Sequence, residues 1–312
     1  MLAGMTSWIR SCLVVLTLTA ALLGVAAGAA PADMLAYKRP PLHARFQYQL
    51  QPVAGHDATG GYDIDVCAPA ALGGPCVRPQ VWGIDLYEAD GVTPNRPAVQ
   101  AIHARGGYAL CYIDAGSIEN SRPDWAAFKA WDDAHGHSLI GKPYSELFPE
   151  EFYANLNNDR GQRDFLLSMQ EQRMRKCARA GFDAVDPDVV DAYAAGVEET
   201  GWEISPATQL VFNRALARMA HRLGMAVTLK ADLGQTRELV GDVDMAVNEQ
   251  CFQYDECDAL RPFVRAGKPV FEIEYEVAPL SFCPEAVFLY GFNAAKKDPD
   301  EMLYNLPWTP CV

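Results

Sequence analysis

Between Gly106 and Glu276 the chain runs four times through one pattern: an amphipathic stretch, a glycine, then an apolar run that stops at an acid. The runs are Tyr108–Asp114, Phe182–Asp188, Met225–Asp232 and Pro269–Glu276, and the glycines before them are Gly106, Gly181, Gly224 and Gly267. Glycine suits the left-handed position past a helix's last turn, where a side chain would clash. The stretch from Arg163 to Ala180 reads as such a helix, with Leu166, Met169, Cys177 and Ala180 on one face. Ser205 and Pro206 open another, as N-cap and first-turn residue. The runs are apolar without alternation, as expected of parallel strands covered on both faces. Phe46–Leu50, Val81–Tyr87, Met245–Glu249 and Ala286–Phe292 bring the set to about eight strands alternating with helices.

This alternation predicts an α/β fold, a single-domain (β/α)8 TIM-type barrel, which needs roughly 250 residues. A doubly wound open sheet is the second choice, but no glycine-rich phosphate loop follows any strand. The Gly- and Pro-rich stretch from Pro52 to Pro79 reads as a stapled loop between the first two strands. Ahead of the pattern, Arg10 precedes an apolar run from Leu13 to Val25, and small residues follow to Ala30. That order predicts a signal peptide over residues 1–30, cut near Ala29 to Ala32, with the barrel domain over 31–312. A secreted or periplasmic protein without a membrane span is the expectation.

Cysteine usage agrees with export. Of nine cysteines, Cys12 would leave with the signal, and the even set Cys67, Cys76, Cys111, Cys177, Cys251, Cys257, Cys283 and Cys311 reads as disulfides. Many pairings are open; closeness in the chain suggests Cys67–Cys76 and Cys251–Cys257. A strand-to-helix pairing Cys111–Cys177 would leave Cys283–Cys311 to fix the C-terminal tail. With no CxxC pair and no histidine near these cysteines, no metal and no cofactor is expected. The 26 basic residues against 40 acidic, a net −14, argue against nucleic-acid or anionic-membrane partners. A cationic or neutral partner is compatible, and a monomer is expected.

In a barrel of this kind, reacting residues sit at the C-terminal ends of strands. Here those ends carry Asp85, Asp114, Asp186 and Asp188, Asp232, Glu249, and Glu274 with Glu276. Crowding like charges into one mouth destabilises a fold, so a compensating use is expected. Paired carboxylates suit glycosidic cleavage, one ionised and one carrying the proton for the leaving oxygen. Tyr48, Trp82, Tyr112, Tyr254 and Tyr275 lie beside these ends as candidate stacking faces. A GxSxG elbow, an HExxH helix motif and an EF-hand loop are all missing from the sequence.

The segments Tyr62–Asp65 or Ile84–Tyr87, Cys111–Ser117, Ala184–Asp191, Leu229–Leu233, Ala246–Tyr254 and Ala266–Tyr275 resemble glycoside hydrolase family 114. The resemblance implies a secreted barrel enzyme of the endo-α-1,4-polygalactosaminidase type. It also implies a catalytic Asp/Glu pair, carried here by Asp188 as nucleophile and Glu249 as acid/base. Asp186 is the rival nucleophile, and Asp191 a loop-positioning residue. Asp114, Asp186, Lys230, Asp232, Asn248, Glu274, Tyr112 and Tyr275 would form the substrate subsites, suited to a cationic or neutral amino-sugar polymer. Two departures are Asp186, where the pattern carries glutamate, and Ala231, where it carries asparagine. They motivate the alternative of a non-catalytic carbohydrate-binding or surface-associated protein on the same scaffold. Retention is expected of the enzyme, with carboxyl separation deciding between retention and inversion.

Overall fold

A computed structural model describes residues 37–311; the expected signal peptide lies outside them. Eight strands run parallel in sequence order: β1 (Phe46–Gln49), β2 (Val81–Asp85), β3 (Tyr108–Asp114), β4 (Ala184–Asp188), β5 (Ala226–Lys230), β6 (Met245–Glu249), β7 (Val270–Glu274) and β8 (Asn293–Lys296). A short β9 (Thr309–Pro310) pairs antiparallel with β8. The eight parallel strands form a TIM-like barrel with helices outside. The helical layer is uneven. Full-length helices α1 (Arg96–Ala104), α2 (Trp125–Ala134), α3 (Gln162–Ala180) and α4 (Pro206–Arg222) serve the connections from β2 to β5. After β5, β6 and β7 only short pieces remain, Thr236–Leu239, Arg261–Arg265 and Pro279–Glu285. Between β1 and β2 no α-helix forms; that stretch is the expected loop, stapled by Cys67–Cys76.

The local signals that predicted these elements are satisfied. Gly106, Gly181, Gly224 and Gly267 all have positive φ, and the Gly181 N–H closes α3 on the carbonyl of Cys177. Ser205 accepts from Thr208 N, and Asn95 from Ala98 N, each satisfying a free amide of a first turn. One strand is misplaced by the sequence reading. Ala286–Phe292 is not a strand: Ala286–Tyr290 is a π-helical turn that continues Pro279–Glu285. Pro284 lies inside that helix without ending it, and the helical backbone carries on to Gly291, whose positive φ closes it. The true β8 is the small and polar segment just beyond, which gives little hydrophobic signal. Similarly, β5 ends at Lys230 rather than Asp232, because Ala231 and Asp232 both adopt left-handed φ.

The seam between β8 and β1 is closed by side chains and by the C-terminal tail. Asn293 accepts from Ala44 N (2.7 Å) and donates to the carbonyls of Leu42 and Val270 (3.1 Å each). Buried Trp308 donates from Nε1 to Phe46 O (2.8 Å), and Leu303 O accepts from Leu50 N (2.9 Å). Disulfides join Cys67–Cys76, Cys111–Cys177, Cys251–Cys257 and Cys283–Cys311, the pairing expected from the sequence. Among the described residues no helix is long and apolar enough to cross a membrane.

Within the barrel, Tyr48 of β1 lies opposite Gly83 of β2 and fills the space a side chain there would take. A Cβ at position 83 would approach the Tyr48 ring to 2.5 Å. Gly83→Ala should therefore destabilise the fold by about 1–3 kcal/mol through overpacking. The midpoint of urea unfolding checks this; an unchanged midpoint would show that the ring moves aside freely.

Candidate active site

Three successive strands end in the same way. Asp188, Lys230 and Glu249 are the last residues of β4, β5 and β6, and each is followed by a non-glycine residue of positive φ. These followers are Val189 (55°), Ala231 (48°) and Gln250 (65°). Left-handed backbone at a β-branched valine is strained. It turns the chain sharply away, and the N–H of Val189 donates to Asp188 Oδ1 (2.8 Å). Gly116 makes that turn possible, since a Cβ there would run into the Val189 carbonyl. Gly116 lies in the segment Cys111–Ser117, and nothing in the sequence alone marks it for this role.

The three strand ends converge at Lys230. Its Nζ lies 3.2 Å from Asp188 Oδ1 and 2.6 Å from Glu249 Oε2. Burial opposes a charge on this ammonium, but the carboxylates of Asp188, Glu249 and Asp186 outweigh it and hold the proton far more tightly than usual. The Tyr112 hydroxyl lies 2.8 Å from both Asp188 Oδ2 and Asp114 Oδ1, so its one proton serves either acid. Tyr275 donates its hydroxyl to Glu249 Oε1. Asp186 sits beneath, with no exposed surface, and accepts from Tyr48 (2.9 Å) and Thr228. Burial pushes its carboxyl up to about 6. Of the two rival aspartates, Asp188 is the one that faces the cleft.

That cleft has a volume of about 720 Å³ and contains Asp188, Glu249, Lys230, Asp114, Tyr112 and Tyr275 in its walls. Among the described residues its lining carries nine carboxyl groups against two cations, Lys230 and Arg122. Arg122 grips Asp85 through both guanidinium nitrogens (2.9 and 2.5 Å) and donates from Nε to Glu119. Burial, with the Asp114 carboxylate alongside, keeps Glu119 protonated well beyond the ordinary range. Burial opposes ionisation of Asp114 too, yet the hydrogen bond from Glu119 and the charge of Arg122 bring it below its ordinary value. Glu151 completes this wall; burial, then Asp114, push its carboxyl up to about 9. Glu119, Arg122 and Glu151 were not singled out from the sequence. They belong to an insertion between β3 and α3 whose strands Ser117–Glu119, Ile140–Pro143 and Glu151–Ala154 form a small antiparallel sheet. A rule that looks at barrel-strand ends passes over it.

Other expected subsite residues lie outside the cleft lining, where they serve the framework. Asn248 donates to Glu272 Oε2 (3.0 Å), while Glu272 and Glu274 accept from the amides of Cys251 and Phe252 (2.9 and 2.8 Å). These buried acids thus hold the loop that follows Glu249. Asp232 accepts from Asn213 Nδ2 (2.9 Å), and burial followed by Asp191 pushes its carboxyl up to about 7. Trp82 is buried in the core, and Tyr254 is exposed away from the cleft. Cys251, Glu272 and Glu274 come within metal-ligating distance of one another, but the sulfur is already bonded to Cys257. Asp132, Asp133 and His137 form a second such group at the end of α2. There Asp132 accepts from Leu139 N (2.8 Å) and Ile140 N (3.2 Å).

Residues 26–301 match the model of the family described as glycoside-hydrolase family GH114. The structure is similar to that of Ega3 from Aspergillus fumigatus in complex with galactosamine, with 25% identity and a TM-score of 0.65 over 86% of this chain and 96% of that one. It shares its fold with the glycoside hydrolase domain of PelA from Pseudomonas aeruginosa, at 14% identity and a TM-score of 0.50 over 84% and 96%. No curated protein matches the sequence.

Asp232 provides a test of the electrostatics around the mouth. Its folded carboxyl stays protonated up to about 7, against 3.8 ordinarily, so the native state loses stability as pH rises through that window. Asp232→Asn removes the charge that the fold accommodates poorly, and asparagine tolerates the left-handed backbone. The stability of the variant relative to wild type should rise by about 2 kcal/mol from pH 5 to pH 8. Urea unfolding at both pH values measures it, and equal differences at the two would contradict the raised value.

Proposed function

Because the chain belongs to glycoside hydrolase family GH114, we propose that it cuts internal α-1,4 linkages of a galactosamine-rich polysaccharide, with Asp188 and Glu249 as the reacting pair. The observation that carries this reading is the single ammonium of Lys230 in contact with both carboxyl groups, at the floor of a cleft whose acids outnumber its cations nine to two. The two contacts of Lys230, 3.2 and 2.6 Å, keep the nearest oxygens of the pair under 6 Å apart, which admits the roughly 5–5.5 Å separation of retaining enzymes. Asp188, with donors from Lys230, Tyr112 and the Val189 amide, is suited to attack the anomeric carbon. Glu249 protonates the departing glycosidic oxygen, and the C–O bond breaks as the glycosyl ester to Asp188 forms. Glu249 then takes a proton from water, which attacks the ester and releases the sugar with retained configuration.

The rest of the molecule fits that task. A lining of nine acids against two cations, even with Glu119 and Glu151 protonated, leaves an excess of negative charge that favours protonated amino groups over a uronate polymer. The likeness to Ega3 bound to galactosamine supports the same substrate class. Four disulfides suit an oxidising compartment, and we place the enzyme outside the cytoplasm as a monomer, with residues 1–30 as the export signal and the barrel domain as the mature protein.

Purified mature protein should shorten a partly de-N-acetylated α-1,4-galactosamine polymer to oligomers detectable by mass. Glu249→Gln should lower turnover by at least about 10²-fold through loss of acid catalysis. Turnover close to wild type would take Glu249 out of the reaction. Product anomers followed by proton NMR decide between retention and inversion.

A further inference from the structure

We propose that Glu151 is a specificity-determining residue, receiving on its open carboxyl oxygen the 2-ammonium group of a galactosaminyl unit bound beside Asp188. The inference rests on the substrate class proposed above and deepens it. Glu151 opens the strand Glu151–Ala154 of the inserted sheet, and the Tyr144 amide donates to its carbonyl (2.8 Å), which fixes its backbone. One carboxyl oxygen, Oε1, accepts from Ser117 Oγ at 2.5 Å. Among the described residues no donor reaches the other oxygen, Oε2, although the residue is only 7% exposed and lines the cleft. A buried carboxyl with one free oxygen turned to a ligand space is an incomplete hydrogen-bond site.

The surroundings specify a cation. Glu151 faces the carboxylates of Asp114 on β3 and Asp188 on β4, and the phenols of Tyr112, Tyr144 and Tyr153. The cation nearest in effect, Arg122, is already held by Asp85 and Glu119. With the cleft empty, burial and the Asp114 charge keep the proton on Glu151 up to about 9. An arriving ammonium reverses the balance: the carboxyl gives its proton to solvent, and the carboxylate pairs with the sugar's –NH3+. A neutral hydroxyl or acetamide at the same carbon brings no charge to offset the ionisation, so galactose and N-acetylgalactosamine gain nothing comparable.

The experiment is calorimetric titration of the mature protein with galactosamine, galactose and N-acetylgalactosamine at pH 7, in two buffers of different ionisation enthalpy. Wild type should prefer galactosamine and release a proton on binding it. Glu151→Gln retains the acceptor for Ser117; it should bind galactosamine without proton release and lose at least about tenfold of the preference over galactose. A melting curve run alongside verifies that the variant is folded. Undiminished preference and proton release in the variant, or no preference in wild type, overturns the proposal. Depolymerisation assays separate the two readings: selective binding without polymer cleavage would defeat the hydrolase reading and leave Glu151 standing. Cleavage with unchanged selectivity in the variant would do the reverse.

Discussion

The mouth of this barrel depends on one ammonium. Lys230 ends β5 between the strands that carry Asp188 and Glu249, and it touches both acids from a position with almost no solvent access. Two carboxylates at such range would otherwise repel each other in a poorly hydrated setting. Burial alone would strip a lysine of its proton; the ring of acids reverses that outcome. The neighbouring acids therefore hold the ammonium in charged form, and a buried lysine here loses its justification if they are removed. This dependence makes the centre sensitive to any substitution that alters charge.

Around that centre, excess negative charge is managed in different ways at different depths. Asp85 is neutralised by a bidentate guanidinium, Glu119 keeps its proton beside Asp114, and Asp186 is capped by two hydroxyls. The acids still open to the cleft are the ones a ligand can reach. The backbone shares in the arrangement through the left-handed residues after Asp188, Lys230 and Glu249, which end the strands abruptly and leave their last side chains at the floor of the mouth.

Seven of the eight parallel strands were legible because glycine stops and apolar runs mark them strongly, and the disulfide pairing followed from spacing and from helix and strand positions. β8 was not, since Asn293–Lys296 closes the barrel by hydrogen bonding and small size rather than by apolar bulk. Of the residues expected at the site from strand ends and the family resemblance, Asp188, Glu249, Lys230, Asp114, Tyr112 and Tyr275 line the cleft. Asp232, Asn248 and Glu274 share that sequence signal yet bond into the framework: Asn248 alternates with Glu249 along its strand, Asp232 follows the left-handed Ala231, and Glu274 accepts from the Phe252 amide. The inserted sheet contributes Glu119, Arg122 and Glu151 from outside the repeating pattern, where periodicity carries no information about the mouth.

The closing of the β1–β8 seam has a consequence for how the molecule is made. Its hydrogen bonds come from Asn293, Leu303 and Trp308, and the Cys283–Cys311 disulfide anchors the segment that carries them. During synthesis β1 emerges well before β8 and keeps an unpaired edge until residues 293–311 follow. Closure of the barrel is thus its most non-local step, joining residues 249 to 262 positions apart, and contacts that distant form late and slowly.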